Sequence, residues 1–148
     1  MSQAVLLYLH AYVTLALVGL IWTIQLVHYP LFLRVPSEAF PDYGRAHMKR
    51  ISWLVGPLML GELVTAILLV AIPGEIPALL VWSGLGGVLL IWISTAFVQG
   101  PIHPKITDSF DETLHRRLVR TNWFRTVVWT ARGVLVLIML DMLRTAAP

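Results

Sequence analysis

The sequence predicts an all-α integral membrane protein in which four transmembrane helices form an antiparallel bundle. Of its 148 residues, 57% are hydrophobic and only 13% are charged, whereas ordinary soluble domains carry about 25% charged residues. The mean hydropathy is +0.77. Four apolar segments are long enough to cross a hydrocarbon core of about 30 Å, which takes roughly 20 helical residues. We expect a single membrane domain over residues 1–148, because no segment resembles a linker.

The four helices are expected at about residues 5–27, 42–72, 76–98 and 116–143. The first has no Lys or Arg before its apolar run, and that run is too long for a signal peptide, so we expect the mature protein to retain it. Pro41 and Asp42 suit the first turn of a helix, which predicts a short amphipathic helical extension before the second membrane helix. The short turn Pro73–Pro77 makes the second and third helices antiparallel neighbours.

The distribution of basic residues predicts the orientation in the membrane. Basic residues flank the first and third connections but not the second: Arg34, Arg45, Lys49, Arg50, Lys105, Arg116, Arg117 and Arg120. Both long connections are therefore expected in the cytoplasm and both termini outside (N-out, C-out), in the bacterial cytoplasmic (inner) membrane. Because these residues are spread along the membrane edge, nucleic-acid binding is not expected. The chain has no cysteine, which excludes disulfides, thiolate metal sites and thiol catalysis.

Two opposite charges, Glu62 and Arg132, lie deep inside apolar segments. A charge in hydrocarbon costs on the order of 3 kcal/mol or more, so such residues are usually paired, in contact with water or functional. Glu62 lies roughly 15 Å beyond Ser52 and Arg132 roughly 18 Å beyond Arg120, which makes them level near the bilayer centre. We expect an ion pair that locks the bundle; in the alternative, Glu62 is a ligand, a proton carrier or a substrate anchor.

Polar and aromatic residues also recur at helical spacing nearer the cytoplasmic surface. They are Trp22, Gln25, His28 and Tyr29 on the first helix, where the face ends at Pro30, and Asn122, Arg125, Trp129 and Arg132 on the fourth. Because lipid-facing residues should be apolar, both stripes are expected to point inward. With His47 and His103 from the connections, they predict a polar cavity that opens to the cytoplasm and is closed at depth by Glu62 and Arg132.

Three histidines on three different elements, His28, His47 and His103, suit a zinc, iron or copper site without thiolates. No H-x-x-H or H-E-x-x-H spacing is present, and the alternative for each residue is an interfacial histidine with a structural role. Haem is a related option, on His10 or on His28 alone, because those two lie about 27 Å apart on one face and cannot ligate one iron together. The cofactor, a metal ion or haem, is left open.

The other polar groups favour an amphipathic ligand. Arg125 is planar and bidentate, and Asn122 and Gln25 offer both donors and acceptors. Together with tryptophan walls, they fit a molecule with a carbonyl, phenolate or carboxylate head and an apolar body that enters from the lipid. For the tryptophans, the alternative is the aromatic belt of a membrane interface. The expected ligand-binding residues are Trp22, Gln25, Tyr29, Asn122, Trp129 and Arg132, and the expected catalytic residues, for proton transfer and oxyanion stabilisation, are His28, Glu62 and Arg125.

Several of these features recur together in one family of membrane proteins. They are Trp22 to Tyr29, Pro57 with Glu62, Pro101, and the run Asn122-Trp-Phe-Arg-Thr-Val-Val-Trp-Thr-Ala-Arg. The chain resembles small four-helix bacterial membrane proteins similar to the anthrone oxygenase-like family, in which a fourth-helix Asn, Trp and Arg recur. By this resemblance, those residues map to Asn122, Trp123 and Arg125. The chain is also similar in length to the short four-helix, haem-binding protoporphyrinogen oxidases, which carry an early first-helix histidine, as His10 is here.

Three classes of function follow from these expectations. The first is a membrane oxidoreductase or oxygenase that acts on an apolar, ring-bearing or quinone-like substrate. The second is a non-enzymatic carrier or binding protein for a lipid or a cofactor, and the third is an accessory subunit of a larger membrane complex. A homo-oligomer is a further expectation, with the glycine-rich segment Ser83–Gly87 of the third helix as its interface.

Overall fold

A computed structural model of the chain describes residues 2–108 and 110–146, and every regular element within these ranges is a helix. Four of the helices are long and apolar enough to cross a membrane, which confirms the predicted fold class at this level. They form a ring in which each helix packs against its neighbours in the chain and the fourth closes against the first. The end that holds the turn Pro73–Pro77 is called the hairpin end, and the opposite end, with the first and third connections, is called the long-connection end.

The first helix is longer than predicted. It begins with Gln3–Thr23, continues as a π-helical turn at Ile24–His28 and ends with Tyr29–Phe32, so the predicted end near residue 27 is wrong. In an α-helix, proline lacks an N–H and its ring conflicts with the carbonyl four residues earlier. The wider π-helical turn just before Pro30 replaces that geometry with a backbone bond that spans five residues, and the helix continues.

The second and fourth helices both begin outside the apolar segments. The second runs Phe40–Ala71, with Pro41 and Asp42 in its first turn, which confirms the predicted helical extension. The fourth runs Glu112–Ala146 and starts earlier than predicted. The Asp111 carboxylate accepts hydrogen bonds from two N–H groups of its first turn, at 2.7 and 3.1 Å, and such a cap stabilises an early helix start.

The third helix leads into a helical connection where a loop was predicted. It runs Ala78–Ser94 and continues as a second π-helical turn at Thr95–Gln99. A short helix, Ile102–Asp108, follows directly after Pro101. The proline at position 104 lies in the first turn of this short helix, where a missing N–H costs no intrahelical bond. The two prolines are therefore compatible with a helix in this connection.

Apolar and polar layers alternate along the bundle. Apolar clusters around Leu6, Leu17 and Phe32 fill the hairpin end, the middle and the long-connection end respectively. A deep polar layer around Glu62 lies between the first two clusters, and a second polar layer around Gln25 lies between the last two. These two polar layers contain the candidate site.

Candidate functional site

The deep polar layer is built around the predicted ion pair. Glu62 and Arg132 are only 1% and 4% exposed, and Arg132 Nη2 lies 3.1 Å from Glu62 Oε1. The predicted pairing of the second helix with the fourth is confirmed. Each charge makes the other tolerable at this depth, because removing one partner of a buried pair leaves an uncompensated charge.

Protein donors engage both oxygens of the Glu62 carboxylate. Oε1 accepts hydrogen bonds from Thr14 Oγ1 at 3.0 Å and from Arg132 Nε at 3.2 Å. Oε2 accepts one from Trp129 Nε1 at 3.1 Å. These donors belong to the first and fourth helices, so the carboxylate ties both to the second helix. This arrangement suits a structural anchor, and the catalytic role of Glu62 stays a prediction.

The first and third helices also hold the Arg132 guanidinium. Its Nη1 donates to the Gly84 carbonyl, and its Nη2 lies 3.1 Å from His10 Nε2. The other ring nitrogen, His10 Nδ1, lies 2.7 Å from Thr65 Oγ1. Both ring nitrogens of His10 thus have protein partners, which suits a structural role, and haem ligation by His10 stays a prediction.

Two glycines of the third helix make room for the Arg132 side chain. A Cβ added to Gly87 would lie 3.0 Å from Arg132 Cδ, and one added to Gly84 would lie 3.8 Å from Arg132 Nη1. The same addition at Gly86 meets nothing within 4 Å. The close packing expected of this glycine-rich segment therefore takes place inside the bundle, and an oligomer interface along it stays a prediction.

The second polar layer is a chain of hydrogen bonds that ends at Arg125. Gln25 Nε2 donates to the Val119 carbonyl at 3.2 Å, and Gln25 Oε1 accepts from Asn122 Nδ2 at 2.6 Å. Asn122 Oδ1 accepts from Arg125 Nε and Nη2, at 2.9 and 2.5 Å. Arg125 Nη1 donates to Thr95 Oγ1 at 3.1 Å. The chain holds the guanidinium in one orientation between the first, third and fourth helices.

Both π-helical turns lie at the level of this layer and supply its polar groups. The turn Ile24–His28 contains Gln25, and the turn Thr95–Gln99 begins with the residue that accepts from Arg125. π-Helical turns are rare and occur frequently at functional sites. Two of them at one level support the assignment of this layer as the functional part of the molecule.

A cavity of about 320 Å³ lies beside Arg125, in the half of the bundle near the long-connection end. All four helices contribute to its walls, which are mostly apolar. Its exposed lining residues Ser52, Gly56 and Gly100 belong to the second helix and to the end of the third. The cavity therefore reaches the surface at the side of the bundle, where its mouth lies between those two helices, whereas an opening to the cytoplasm was predicted. The lining residues with polar side-chain atoms are Tyr29, His47, Ser52, Trp92, Thr95, Gln99, His103, Arg125 and Trp129.

Arg125 is a buried cation on the cavity wall. It is 7% exposed, and within the described ranges no carboxylate lies within 4.0 Å of its guanidinium. Its hydrogen-bond partners Asn122 and Thr95 are neutral. The ring of Trp129 lies 5.9 Å from the guanidinium carbon. The contrast with Arg132, which has a carboxylate partner, distinguishes the two buried arginines of the fourth helix.

The three histidines considered as metal ligands lie near the long-connection end. His28 Nε2 and His47 Nδ1 are 2.8 Å apart, so the two rings share one N–H. His47 and His103 line the cavity, whereas His28 lies behind His47. In the part of the chain that the structure describes, no group of three or more His, Asp or Glu side chains is arranged to hold a metal ion. The structure thus brings two of the three histidines into contact, and metal binding stays a prediction.

The predicted site residues fall into two groups, those on the cavity wall and those behind it. Tyr29, His47, His103, Arg125 and Trp129 line the cavity. Gln25 and Asn122 support Arg125 from behind, and Glu62 and Arg132 lie beyond Trp129. Trp22 packs away from the cavity: its ring meets Trp123 edge-on at 5.7 Å, and its Nε1 donates to Thr130 Oγ1 at 3.0 Å.

Sequence reasoning missed two donors on the third helix, Trp92 and Gln99, which both line the cavity. The third segment was interpreted as an apolar packing helix because it contains no charged residue. A signal was present in Ser94, Thr95 and Gln99, which interrupt the last turns of this apolar segment. Polar residues at that depth should have indicated a third inward-facing stripe.

Comparisons of the chain with protein-family models, with curated proteins and with solved structures found no match. The chemistry of the site is therefore argued from its own residues.

Proposed function

We propose that this chain is an integral protein of the bacterial cytoplasmic membrane that binds an amphipathic, ring-bearing or quinone-like molecule. The polar head of the molecule lies against Arg125, and its apolar body fills the cavity between the second and third helices. One observation carries the proposal: the buried guanidinium of Arg125 faces a mostly apolar cavity with no carboxylate partner among the described residues.

The cost of burying a charge supports a ligand at this position. Moving a charge out of water costs several kcal/mol, which only good partners offset. Arg132 has the Glu62 carboxylate, whereas the hydrogen bonds of Arg125 go to neutral oxygens. An ionisable residue at membrane depth is a functional-site candidate by default. A ligand with an electronegative head supplies the partner that Arg125 lacks.

The position of the mouth supports a ligand that arrives from the lipid. Ser52 and Gly56 are exposed, small residues on the face of the second helix that borders the mouth. In a membrane this face meets lipid, so an apolar molecule dissolved in the bilayer reaches the cavity without crossing water. The Lys and Arg residues beside both long connections support the placement of this end of the bundle at the cytoplasmic surface, with both termini outside.

A second candidate function is an oxidoreductase or oxygenase that acts on the same molecule. The observation that favours it is the presence of His47 and His103 on the cavity wall with Arg125. Histidine exchanges protons, and a preorganised arginine stabilises negative charge on oxygen. These side chains would assist the oxidation or reduction of a carbonyl-bearing ring by a separate electron partner. His28 would then act through His47, to which it is hydrogen-bonded.

The proposal is tested by identifying what the purified protein carries. Organic extracts of the wild-type protein in nanodiscs, analysed by mass spectrometry, should contain an amphipathic molecule in about equimolar amount. We expect Arg125→Gln to lose this molecule, because the variant removes the charge that binds its head. The matched control is Arg144→Gln, since Arg144 is exposed at the other end of the same helix.

A second variant keeps the test valid if Arg125→Gln fails to fold. Gly56→Leu should obstruct the mouth of the cavity without a steric clash, because Gly56 is an exposed lining residue and a Cβ added there meets nothing within 4 Å. Both variants should lose the molecule while circular dichroism shows wild-type helix content. Equal ligand content in the wild type and both variants overturns the proposal. If the wild type turns the molecule over, and His47→Gln still binds it but no longer turns it over, the protein is an enzyme rather than a carrier.

A further inference from the structure

We propose that two donors on the third helix, the Gln99 amide and the Trp92 indole, bind ligand oxygens together with Arg125. The ligand is then a quinone-type molecule, an apolar ring with two ketone oxygens that accept hydrogen bonds. This inference rests on the proposed function, because it names the chemistry of the molecule in that cavity and the atoms that recognise it.

Gln99 is a buried amide whose oxygen is hydrogen-bonded but whose nitrogen is not. Its side chain is 1% exposed, and its Oε1 accepts a hydrogen bond from Ser94 Oγ at 3.1 Å. Its Nε2 has no hydrogen-bond partner among the described residues, although the residue lines the cavity. Most buried polar groups in folded proteins are paired, because an unpaired one is costly. The amide is therefore a positioned donor whose acceptor comes from outside the chain.

Trp92 presents a second donor of the same kind. An indole N–H can donate but not accept, and this one is buried without a partner in the part of the chain that is described. The ring lines the same cavity. Two other tryptophans behave differently: Trp129 Nε1 donates to Glu62 and Trp22 Nε1 donates to Thr130. Of these three indole N–H groups, the one without a protein partner belongs to the tryptophan of the third helix on the cavity wall.

Arg125 adds a third donor beside the third helix. A guanidinium has five N–H groups, and the protein acceptors Asn122 and Thr95 engage its Nε, Nη1 and Nη2 with one N–H each. The other two N–H groups are not engaged by these acceptors and can donate to a ligand. Because Thr95 lies between Trp92 and Gln99 in the chain, all three donors border one stretch of the cavity wall.

The spacing of these donors favours two separate acceptor oxygens. Trp92 and Gln99 both line the cavity and lie seven residues apart on the third helix, roughly 10 Å along the axis at about 1.5 Å per residue. A carboxylate carries both of its oxygens on one carbon and cannot reach both donors equally. A ring with ketone oxygens on opposite edges presents one acceptor toward each end of the row. The absence of a carboxylate among the described lining residues agrees with an electronegative ligand.

The test measures the binding of three probes to the whole chain in nanodiscs by isothermal titration calorimetry. The probes are menadione, which has two ketone oxygens, methylnaphthalene, which has the same ring without them, and myristate, which has a carboxylate. Trp92→Phe and Gln99→Leu remove one donor each, and each should weaken menadione binding roughly tenfold. Gln99→Glu replaces the donor with a negative charge and should weaken it further.

Matched controls make the same changes away from the cavity. Trp82→Phe changes an exposed tryptophan on the same helix, and Gln3→Glu changes a glutamine at the hairpin end that accepts a hydrogen bond from the Glu75 N–H. Both should bind menadione like the wild type. Methylnaphthalene should bind all variants equally, because it has no oxygen to lose.

The possible outcomes separate this inference from the proposed function. In one outcome, menadione binding is unchanged in Trp92→Phe and Gln99→Leu but lost in Arg125→Gln. That result overturns the role of Trp92 and Gln99 as ligand donors and leaves the proposed function standing. Preference for myristate over menadione overturns the assignment of two ketone oxygens. Binding of no probe, with no ligand in extracts of the wild type, means that the proposed function itself has failed.

Discussion

Arg125 and Arg132 lie on one face of the fourth helix, and each is more than nine-tenths buried, yet their surroundings differ. Arg132 could be paired from the sequence, because Glu62 is the one opposite charge at its depth in the apolar segments. Of the neutral partners of Arg125, Asn122 was expected on the same face of the fourth helix, but Thr95 was missed because the third segment contains no charged residue. At the scale of single residues, charge and depth predict which buried charges form an ion pair, but not which buried charge has only neutral partners.

Substitution of Glu62 by Gln tests whether the ion pair is structural. The change should lower the free energy of unfolding by about 3 to 5 kcal/mol, because it leaves the buried Arg132 charge uncompensated. Unfolding in mixed micelles, followed by circular dichroism, measures this loss. The ligand content of the protein that stays folded should equal that of the wild type. Glu112→Gln, which breaks an exposed pair with Arg116, is the control and should have little effect. Intact stability together with lost ligand would instead show that Glu62 acts on the ligand.

The two π-helical turns are the elements that sequence periodicity could not reveal. Both are short interruptions of an α-helical pattern, at Ile24–His28 and Thr95–Gln99, and a five-residue stretch leaves no distinct hydrophobic period. The helix that contains Pro104 was missed for a related reason, because proline marks a helix start as readily as a helix end. Sequence patterns therefore predicted the existence of each long helix better than its course near the cavity.

Insertion of one alanine after Ala96 tests whether the register of the second π-helical turn aims the Gln99 amide. The turn already holds one extra residue, so a further residue should rotate the segment after it by about 100°. Gln99 then leaves the cavity wall, and we expect loss of the bound molecule at unchanged helix content. Deletion of Ala96 is the control, because it converts the i→i+5 bond to an i→i+4 bond, keeps the following segment in register and should retain the molecule. Retention by the insertion variant would show that the position of Gln99 does not set the site.

The glycines of the third helix allow a matched test of packing. Gly87→Val should force the Arg132 side chain aside, because even an added Cβ lies 3.0 Å from its Cδ, and overpacking costs about 1 to 3 kcal/mol. Gly86→Val adds the same atoms where nothing lies within 4 Å and should leave the free energy of unfolding nearly unchanged. Equal losses in the two variants would contradict the internal role of Gly87. Loss of an oligomer in Gly86→Val alone, measured by light scattering, would support an interface on the outer face.

At the scale of the whole molecule, segment length and charge predicted four long helices and the antiparallel hairpin of the second and third. The ring order could be anticipated only in part, because connections constrain neighbours in the chain but not the contact that closes the first helix against the fourth. The sideways mouth of the cavity was not foreseen either. The mouth is bordered by the exposed residues Ser52 and Gly56, and its position depends on how the second and third helices pack together.

The orientation of the bundle can be measured directly, because the chain contains no cysteine. Single cysteines at Ser37 and Asp108, both exposed at the long-connection end, should react with a membrane-impermeant maleimide only after cells are opened. A cysteine at Glu75 in the exposed hairpin turn should react in intact cells. The physical reason is the excess of Lys and Arg beside the first and third connections, which keeps those connections in the cytoplasm.

The same labelling bears on how the ligand arrives. If the cysteine at Ser37 is protected in intact cells, the cavity lies in the cytoplasmic half of the membrane, and its sideways mouth opens to the inner leaflet. A bound ring would then be within reach of cytoplasmic electron donors, as the enzyme candidate requires. Labelling of Ser37→Cys from outside the cell would show that the bundle has the opposite orientation in the membrane. This result would favour a carrier over an enzyme, because the head of the ligand would then lie near the outer surface, away from cytoplasmic electron donors.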